Sequence, residues 1–342
     1  MKRRNLLTAI AAVTASWVVS PAMAQGQLNM ICAPQIEWCQ GLANAFGRET
    51  GIQVAVTQKS TGEILAQVRA EKDNPRIDIW FGGTTDPHLI AAEDNLTVAY
   101  TSPRMGELRP WAIRLHEQSK GRAVGISIGA VGFGHNKELL AKKSMPAPAS
   151  WADLLKPIYK GEIQMANPNS SGTAYIVIAT LVQLMGEEQA FDYLKKLHPN
   201  INAYTRSGVA PIKAAARGET GISISFVMDI VTEQTAGFPV GYTYPSEGTG
   251  FEVAGLSIIR GARNLSSAQR FYEWYMTPAA QALGASFIQF HYPANLKTIV
   301  DPRVPDVASV NLVNYDFAKY GTSAERRRLL AKWDAEIGSL PR

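Results

Sequence analysis

Two cysteines in 342 residues exclude a disulfide-stapled miniprotein. Charged residues make up only 18% of the chain, below the usual ~25%. Hydrophobic residues make up 46%, enough apolar surface to offset the entropy of ordering, so a disordered chain is excluded too. No internal repeat argues for a solenoid or propeller. Beyond residue 24 no run is long and apolar enough to span a bilayer. Neither His-Glu-x-x-His nor the phosphate-cradling Gly-x-x-x-x-Gly-Lys-Ser/Thr occurs, and no serine nucleophile elbow is expected. His88, His116, His135, His198 and His291 are scattered without ligand spacing. An enzyme, a resident cofactor and a bound metal are therefore not expected.

Lys2, Arg3 and Arg4 precede the uncharged, mostly apolar stretch 6–19, and Ala22-Met23-Ala24 is a small-x-small cleavage site. This is the layout of a secretory signal peptide over residues 1–24, with Gln25 opening the mature chain. Arg3-Arg4 faintly matches a twin-arginine signal, so the choice between that route and the general one stays open. Losing those three bases and no acids lowers the formal net charge from +5 to +2, which gives no basic stripe for nucleic acid. The mature protein is expected to be soluble and exported. Cys32 and Cys39 lie just inside it. In an oxidising compartment they are expected to pair, since the spacing is not Cys-x-x-Cys and no nearby His completes a metal site.

The mature chain alternates short apolar runs with amphipathic ones, which argues for an α/β fold. Expected strands include 28–32, 52–57, 77–81, 162–166, 201–205, 222–227 and 240–244. The Gly-rich stretch 123–133 reads as a connector crossing between lobes, and 251–259, entered through Gly248-Thr249-Gly250, as a second crossing strand. One joint recurs: a strand ends, small hydroxyl residues and glycines follow, and a helix begins. The joints are Ser60-Thr61-Gly62, Gly83-Thr84, Ser170-Ser171-Gly172-Thr173 and Ser207-Gly208. Ser60 followed by Glu63 is a capping box, and Asp86-Pro87 reads as a cap and first helical residue. Helix N-termini carry free N–H groups and about half a positive charge. In open α/β sheets ligands collect beyond the carboxyl ends of strands, so four such joints around one cleft suit an anion. Arg206 and Lys59 either add charge there or stay solvated.

The export signal, the stretch Ile77-Asp78-Ile79-Trp80-Phe81-Gly82-Gly83 and the stretch Gly248-Thr249-Gly250-Phe251-Glu252 together resemble the periplasmic solute-binding proteins of ABC importers, in the ferric-binding-protein-like group. The resemblance covers nearly all of the mature chain. It implies a two-lobed α/β periplasmic binding protein fold of type II, with two crossing strands, a ligand cleft between the lobes and delivery to an inner-membrane permease. On that likeness lobe 1 is 25–127 with 253–290 and lobe 2 is 128–252. The segment 291–342 then forms a C-terminal helical part packing on lobe 2 and the hinge, and the working form is a monomer.

Iron binders of that group use two adjacent tyrosines, and no Tyr-Tyr occurs here. Tyr242 and Tyr244 share one strand face and serve either packing or, in the alternative reading, a ferric site of another type. The branch that binds sugar phosphates and related organic anions is matched at Cys32–Cys39, Gly83-Thr84-Thr85-Asp86-Pro87-His88, Tyr204-Thr205-Arg206-Ser207-Gly208 and Ser246-Glu247-Gly248-Thr249-Gly250. That branch holds sugar hydroxyls with an adjacent His-Asp pair and a later Glu. Asp229 and Glu247 match the acids, and Met228 stands at the His position. The resemblance thus implies a small anionic solute held by Ser60, Thr61, Gly83, Thr84, Ser170, Ser171, Gly172, Thr173, Ser207, Asp229 and Glu247. The carboxylates, which only accept, suit hydroxyl donors.

Overall fold

Short strands alternate with helices from the first described residues of this computed structural model, which describes residues 26–341. The expected signal peptide, 1–24, and Gln25 lie outside the described residues. β1 (Gln27–Cys32), α1 (Ile36–Thr50), β2 (Gln53–Gln58), α2 (Thr61–Ala70), β3 (Ile79–Phe81), α3 (Thr85–Glu93) and α4 (Pro110–Gln118) come first. β4 (Val124–Asn136) then leads to α5 (Lys137–Lys142), β5 (Ile163–Ala166), α6 (Gly172–Met185), α7 (Glu187–Leu197) and β6 (Ile201–Thr205). α8 (Ala210–Ala216), β7 (Ile222–Phe226), α9 (Val227–Thr235) and β8 (Val240–Thr243) follow. The chain returns through β9 (Phe251–Ile258), α10 (Leu265–Tyr275), α11 (Pro278–Ser286) and β10 (Tyr292–Pro293), and ends in α12 (Phe317–Tyr320) and α13 (Ser323–Trp333).

The strands run in the order β2-β1-β3-β9-β4-β7-β5-β6. β4 explains how one sheet serves two bodies. Its first part, from Val124 to Ala130, pairs antiparallel with β9. Its second part, from Val131 to His135, pairs antiparallel with β7. Every residue of β4 is buried, and its glycines let neighbours approach: a Cβ on Gly125 would lie 2.6 Å from the Ala112 backbone. Two cores result. Leu28, Phe46, Phe81, Phe271 and Tyr275 fill one. Phe133, Trp151, Tyr175, Phe191 and Tyr193 fill the other, joined by Tyr315, Leu329 and Trp333 from the C-terminal segment. Burying each such side chain fully stabilises the fold by roughly 1.5–3 kcal/mol. β10 instead pairs with β4 at Ser127 and Ile128, on the first body.

The expected disulfide joins Cys32, at the end of β1, to Cys39 in α1. The Ser60–Glu63 capping box is present at α2. One helix start is corrected: Thr84 is the N-cap of α3, so Asp86 and Pro87 lie inside its first turn rather than opening it. Gly125-Ile126-Ser127-Ile128-Gly129 does have the Gly-x-Ser-x-Gly spacing. Ser127, however, sits buried within the extended β4 rather than on a strand-to-helix corner, so the geometry of an elbow is missing. Among the described residues no helix is long and apolar enough to cross a membrane.

Candidate functional site

A cleft opens where β4 changes partners. From the first body come Ala33 and Pro34 after β1, Ser60 and Thr61 at the start of α2, and Gly83 and Thr84 at the start of α3. From the second come Ser171 and Thr173 at the start of α6, Ser207, Gly208 and Val209 before α8, and Phe226, Met228 and Asp229 at the β7–α9 corner. Glu252 and Ala254 on β9 and His291 complete the wall. Three helix N-termini, those of α2, α3 and α6, therefore converge, each presenting backbone N–H groups left over by helix geometry. The lining holds no lysine or arginine. The groups there that suit an anion are helix-terminal amides and hydroxyl donors.

The Gly82-Gly83 corner is built for this approach. Both residues have positive φ, +74° and +89°, a conformation glycine adopts without steric cost. A Cβ on Gly83 would meet Thr61 at 2.7 Å and Ala33 at 2.9 Å. His88 anchors the corner from behind. Its Nε2 lies 3.1 Å from the Gly82 carbonyl and its Nδ1 2.7 Å from Ser257 Oγ. Burial pulls its pKa down to about 4, so the neutral ring donates through Nε2 to the carbonyl and accepts at Nδ1 from the hydroxyl.

Two carboxylates face the dipoles. Asp229, in the first turn of α9, is 5% exposed, and its Oδ1 accepts from Gln35 Nε2 at 3.2 Å. Burial raises its pKa to about 6, against the stabilising Gln35 bond. Glu252 is equally buried. Burial first, then the charges of Asp229 and Asp86, push its carboxyl well above the usual range. His291 stacks on Trp38 with ring centroids 4.4 Å apart. Met228 packs so tightly on β4 that a Cβ on Gly129 would sit 2.3 Å from its Sδ.

Eight of the expected residues meet in this wall: Ser60, Thr61, Gly83, Thr84, Ser171, Thr173, Ser207 and Asp229. Gly172 stands just behind it, where a Cβ would lie 2.1 Å from Thr84 Oγ1. Ser170 sits at the rim, its hydroxyl donating to the Arg206 carbonyl at 2.7 Å. Glu247 is corrected. It lies away from the cleft, where its carboxylate accepts from the Trp151 and Ala152 amides at 3.1 and 3.2 Å. Glu252, five residues on, is the acid that faces Asp229's side of the cleft. The signal for it was a lone carboxylate in the otherwise uncharged strand Phe251–Ile258. Gln35 and His291 were also missed, since neither belongs to a strand–helix joint. Tyr242 and Tyr244 pack on each other on the β8 side and do not line the cleft. Among the described residues no group of three or more His, Cys, Asp or Glu side chains is arranged to hold a metal ion.

The cleft is shut. Its cavity volume is about 50 Å³, small beside the roughly 300–1,000 Å³ common for a small-molecule pocket. Gly62 N–H donates across it to the Ser170 carbonyl at 3.0 Å. Arg206 pairs with Glu63 over the mouth, with 81% of its side chain exposed. On the other rim Thr232 Oγ1 donates to the Ile288 carbonyl at 2.9 Å.

The model of the bacterial extracellular solute-binding protein family matches residues 86–320. An uncharacterised protein of Haemophilus influenzae is 40% identical over 337 residues, 97% of each chain. The solved structure of the periplasmic binding protein AfuA from Actinobacillus pleuropneumoniae, with exogenous fructose-6-phosphate bound, superposes with a TM-score of 0.88 at 39% identity, covering 92% of this chain and 100% of that one. Iron-bound HitA from Pseudomonas aeruginosa shares the fold at a TM-score of 0.74 and 20% identity, over 90% of this chain and 98% of that one. The hinged α/β bodies foreseen from the crossing strands, and the polar cleft between them, are those of a known lineage: this chain belongs to the bacterial extracellular solute-binding proteins.

Proposed function

We propose that the protein captures a phosphorylated polyol of the hexose phosphate class in the cleft. It then hands the solute unchanged to an ABC permease, working as a monomer in the periplasm after its signal peptide is removed. Lobe 1 comprises 25–127 and 253–290 and lobe 2 comprises 128–252, with the segment 291–342 packing on lobe 2 and the hinge and also touching lobe 1 through β10 and Arg326. The observation that carries this reading is the polarity of the cleft. Three helix N-termini and their hydroxyls suit phosphate oxygens, and the acceptors Asp229 and Glu252 suit the hydroxyl donors of the polyol. Phosphate alone would leave the acids unpartnered, and a free sugar would leave the amides unpartnered. Met228 supplies an apolar surface where the sugar-phosphate branch carries His, so the solute needs no donor or acceptor at that point.

Isothermal titration of the mature protein with fructose 6-phosphate, fructose and inorganic phosphate tests this. The phosphorylated sugar is expected to bind at least tenfold tighter than either fragment, a difference of about 1.4 kcal/mol or more. Equal binding of inorganic phosphate and the sugar phosphate would overturn the polyol half of the reading. A coloured ferric complex with no response to any phosphate ester would replace it by iron binding.

A further inference from the structure

The loop closed by the Cys32–Cys39 disulfide forms part of the cleft wall through Ala33 and Pro34, and its next residue reaches across to the other body. Gln35 occupies the N-cap position of α1 but makes no side-chain capping bond there. Its amide is spent instead on Asp229, 194 residues away, in a buried bond of 3.2 Å. The loop that carries it is pinned on every side. Ala33 N–H donates to the Phe81 carbonyl at 3.0 Å and Lys59 N–H to the Cys32 carbonyl at 3.0 Å. Gln58 Nε2 donates to the Pro34 carbonyl at 3.2 Å. The Gln35 carbonyl accepts from Trp38 N–H at 3.1 Å and Cys39 N–H at 3.3 Å. Pro34 fills the space over Gly82, where a Cβ would lie 2.5 Å from the proline ring.

We propose that Gln35 is a positioning residue that couples closure of the cleft to the carboxylate of Asp229, and that the Cys32–Cys39 loop holds it in place to do so. One amide hydrogen fixes Asp229 Oδ1 and leaves Oδ2 to the solute. The bond forms only when the bodies close, so closure and the aim of the acceptor become one event. The inference rests on reading the cleft as the solute site. Glutamine suits the task because its amide donates without bringing charge. The charged groups facing Asp229 are Glu233 on its own helix, Lys213 on α8 and Glu252 on β9, and Glu37 faces Glu233 from α1. A carboxylate at position 35 would therefore add to an acidic surrounding.

The test uses the full mature protein, fructose 6-phosphate as probe, and the variants Gln35→Leu and Gln35→Glu. Leu keeps the bulk and removes the donor, and loss of a hydrogen bond to a charged group is expected to weaken binding by about tenfold or more. Glu should bind weakly at neutral pH and recover as the pH falls, because its protonated acid again donates to Asp229. The wild-type protein should show no such recovery. Opening of the disulfide by Cys32→Ser with Cys39→Ser should cost affinity in the wild type and little further in Gln35→Leu, the non-additivity of a shared path. Spin labels on Asp73→Cys and Lys142→Cys, one on each body, report closure without any solute. Gln35→Leu is expected to shift the ligand-free distances toward the open form. Wild-type affinity in Gln35→Leu together with unchanged distances overturns the proposal. If the wild type binds no hexose phosphate, the proposed function fails and the label distances alone decide the role of Gln35: an unchanged distribution refutes it and a shift supports it.

Discussion

Arg326 on α13 forms an ion pair with Asp86 in the first turn of α3, and both side chains are almost wholly buried. The guanidinium also lies over the Tyr175 ring at 4.4 Å and donates to the Pro168 carbonyl at 3.4 Å. One arginine from the C-terminal segment thus touches α3 of the first body and both α6 and the turn before it in the second. Asp86 follows Thr84, which lines the cleft, and Thr85 in the chain, so the pair braces that corner of the cleft from behind.

Arg326→Ala leaves Asp86 buried without its partner. Removing one member of such a pair typically costs about 3–5 kcal/mol. Urea unfolding should show an unfolding free energy lowered by that amount, with a correspondingly lower midpoint, and Arg326→Lys should not restore it fully, since ammonium cannot reproduce the planar contact with Tyr175. An unchanged midpoint in Arg326→Ala would mean the pair bears no weight.

Asp229 makes stability depend on pH in a direction opposite to that of a salt-bridged aspartate. Its folded pKa is raised from 3.8 to about 6, chiefly by burial. Below its ordinary value both states bind the proton and the contribution is fully present. It is lost as the pH rises through about 6, where the folded protein must bury a charge. Asn at this position removes the charge and keeps an acceptor for Gln35. Asp229→Asn should therefore be more stable than wild type near neutrality by about 2–3 kcal/mol, the equivalent of roughly two pKa units. The gain should vanish as the pH falls toward 4. Unfolding midpoints across that range check it, and a pH-independent difference would contradict it.

Glu247 and Glu252 separate by readout. Glu247→Ala removes the acceptor for two amides beside Trp151 and should cost about 1 kcal/mol of stability, as cap losses do, with solute affinity unchanged. Glu252→Ala should leave the solute's hydroxyls without an acceptor and weaken binding by about 1–3 kcal/mol. Paired titration and thermal melts of the two variants decide between them. Affinity lost in Glu247→Ala and kept in Glu252→Ala would restore the sequence reading.

That exchange shows where sequence reasoning reached its limit. The joints at Ser60, Gly83, Ser171 and Ser207 were legible because capping chemistry is local, with hydroxyls and glycines marking helix starts whatever the tertiary arrangement. The crossing strands β4 and β9 were legible for a related reason: long glycine-bearing apolar runs betray a strand buried along its length. Which of two acids five residues apart turns inward was not. The choice depends on β9 beginning at Phe251, which leaves Glu247 in the preceding turn. Gln35 was illegible for a stronger reason: its partner lies on the other body, and no local pattern encodes a contact made only on closure.

Gly62 offers a test of closure in which two effects oppose each other. It lies in the first turn of α2, where alanine is favoured over glycine by about 1 kcal/mol, so Gly62→Ala should leave the ligand-free protein as stable as wild type or slightly more so. In the closed form, however, its Cβ would sit 2.7 Å from the Asn169 carbonyl oxygen and 2.8 Å from that of Ser170. Both are backbone atoms of the opposite body, and the Gly62 N–H bond to Ser170 depends on the same approach. The substitution therefore penalises only the closed state, and a solute that binds the closed form loses affinity by as much as that state is raised. The expected result is a thermal midpoint equal to or above wild type without solute, an affinity for fructose 6-phosphate lowered by tenfold or more, about 1.4 kcal/mol, and no compaction in X-ray scattering on adding it. Full affinity with normal compaction would mean that the two bodies meet elsewhere when the solute is held.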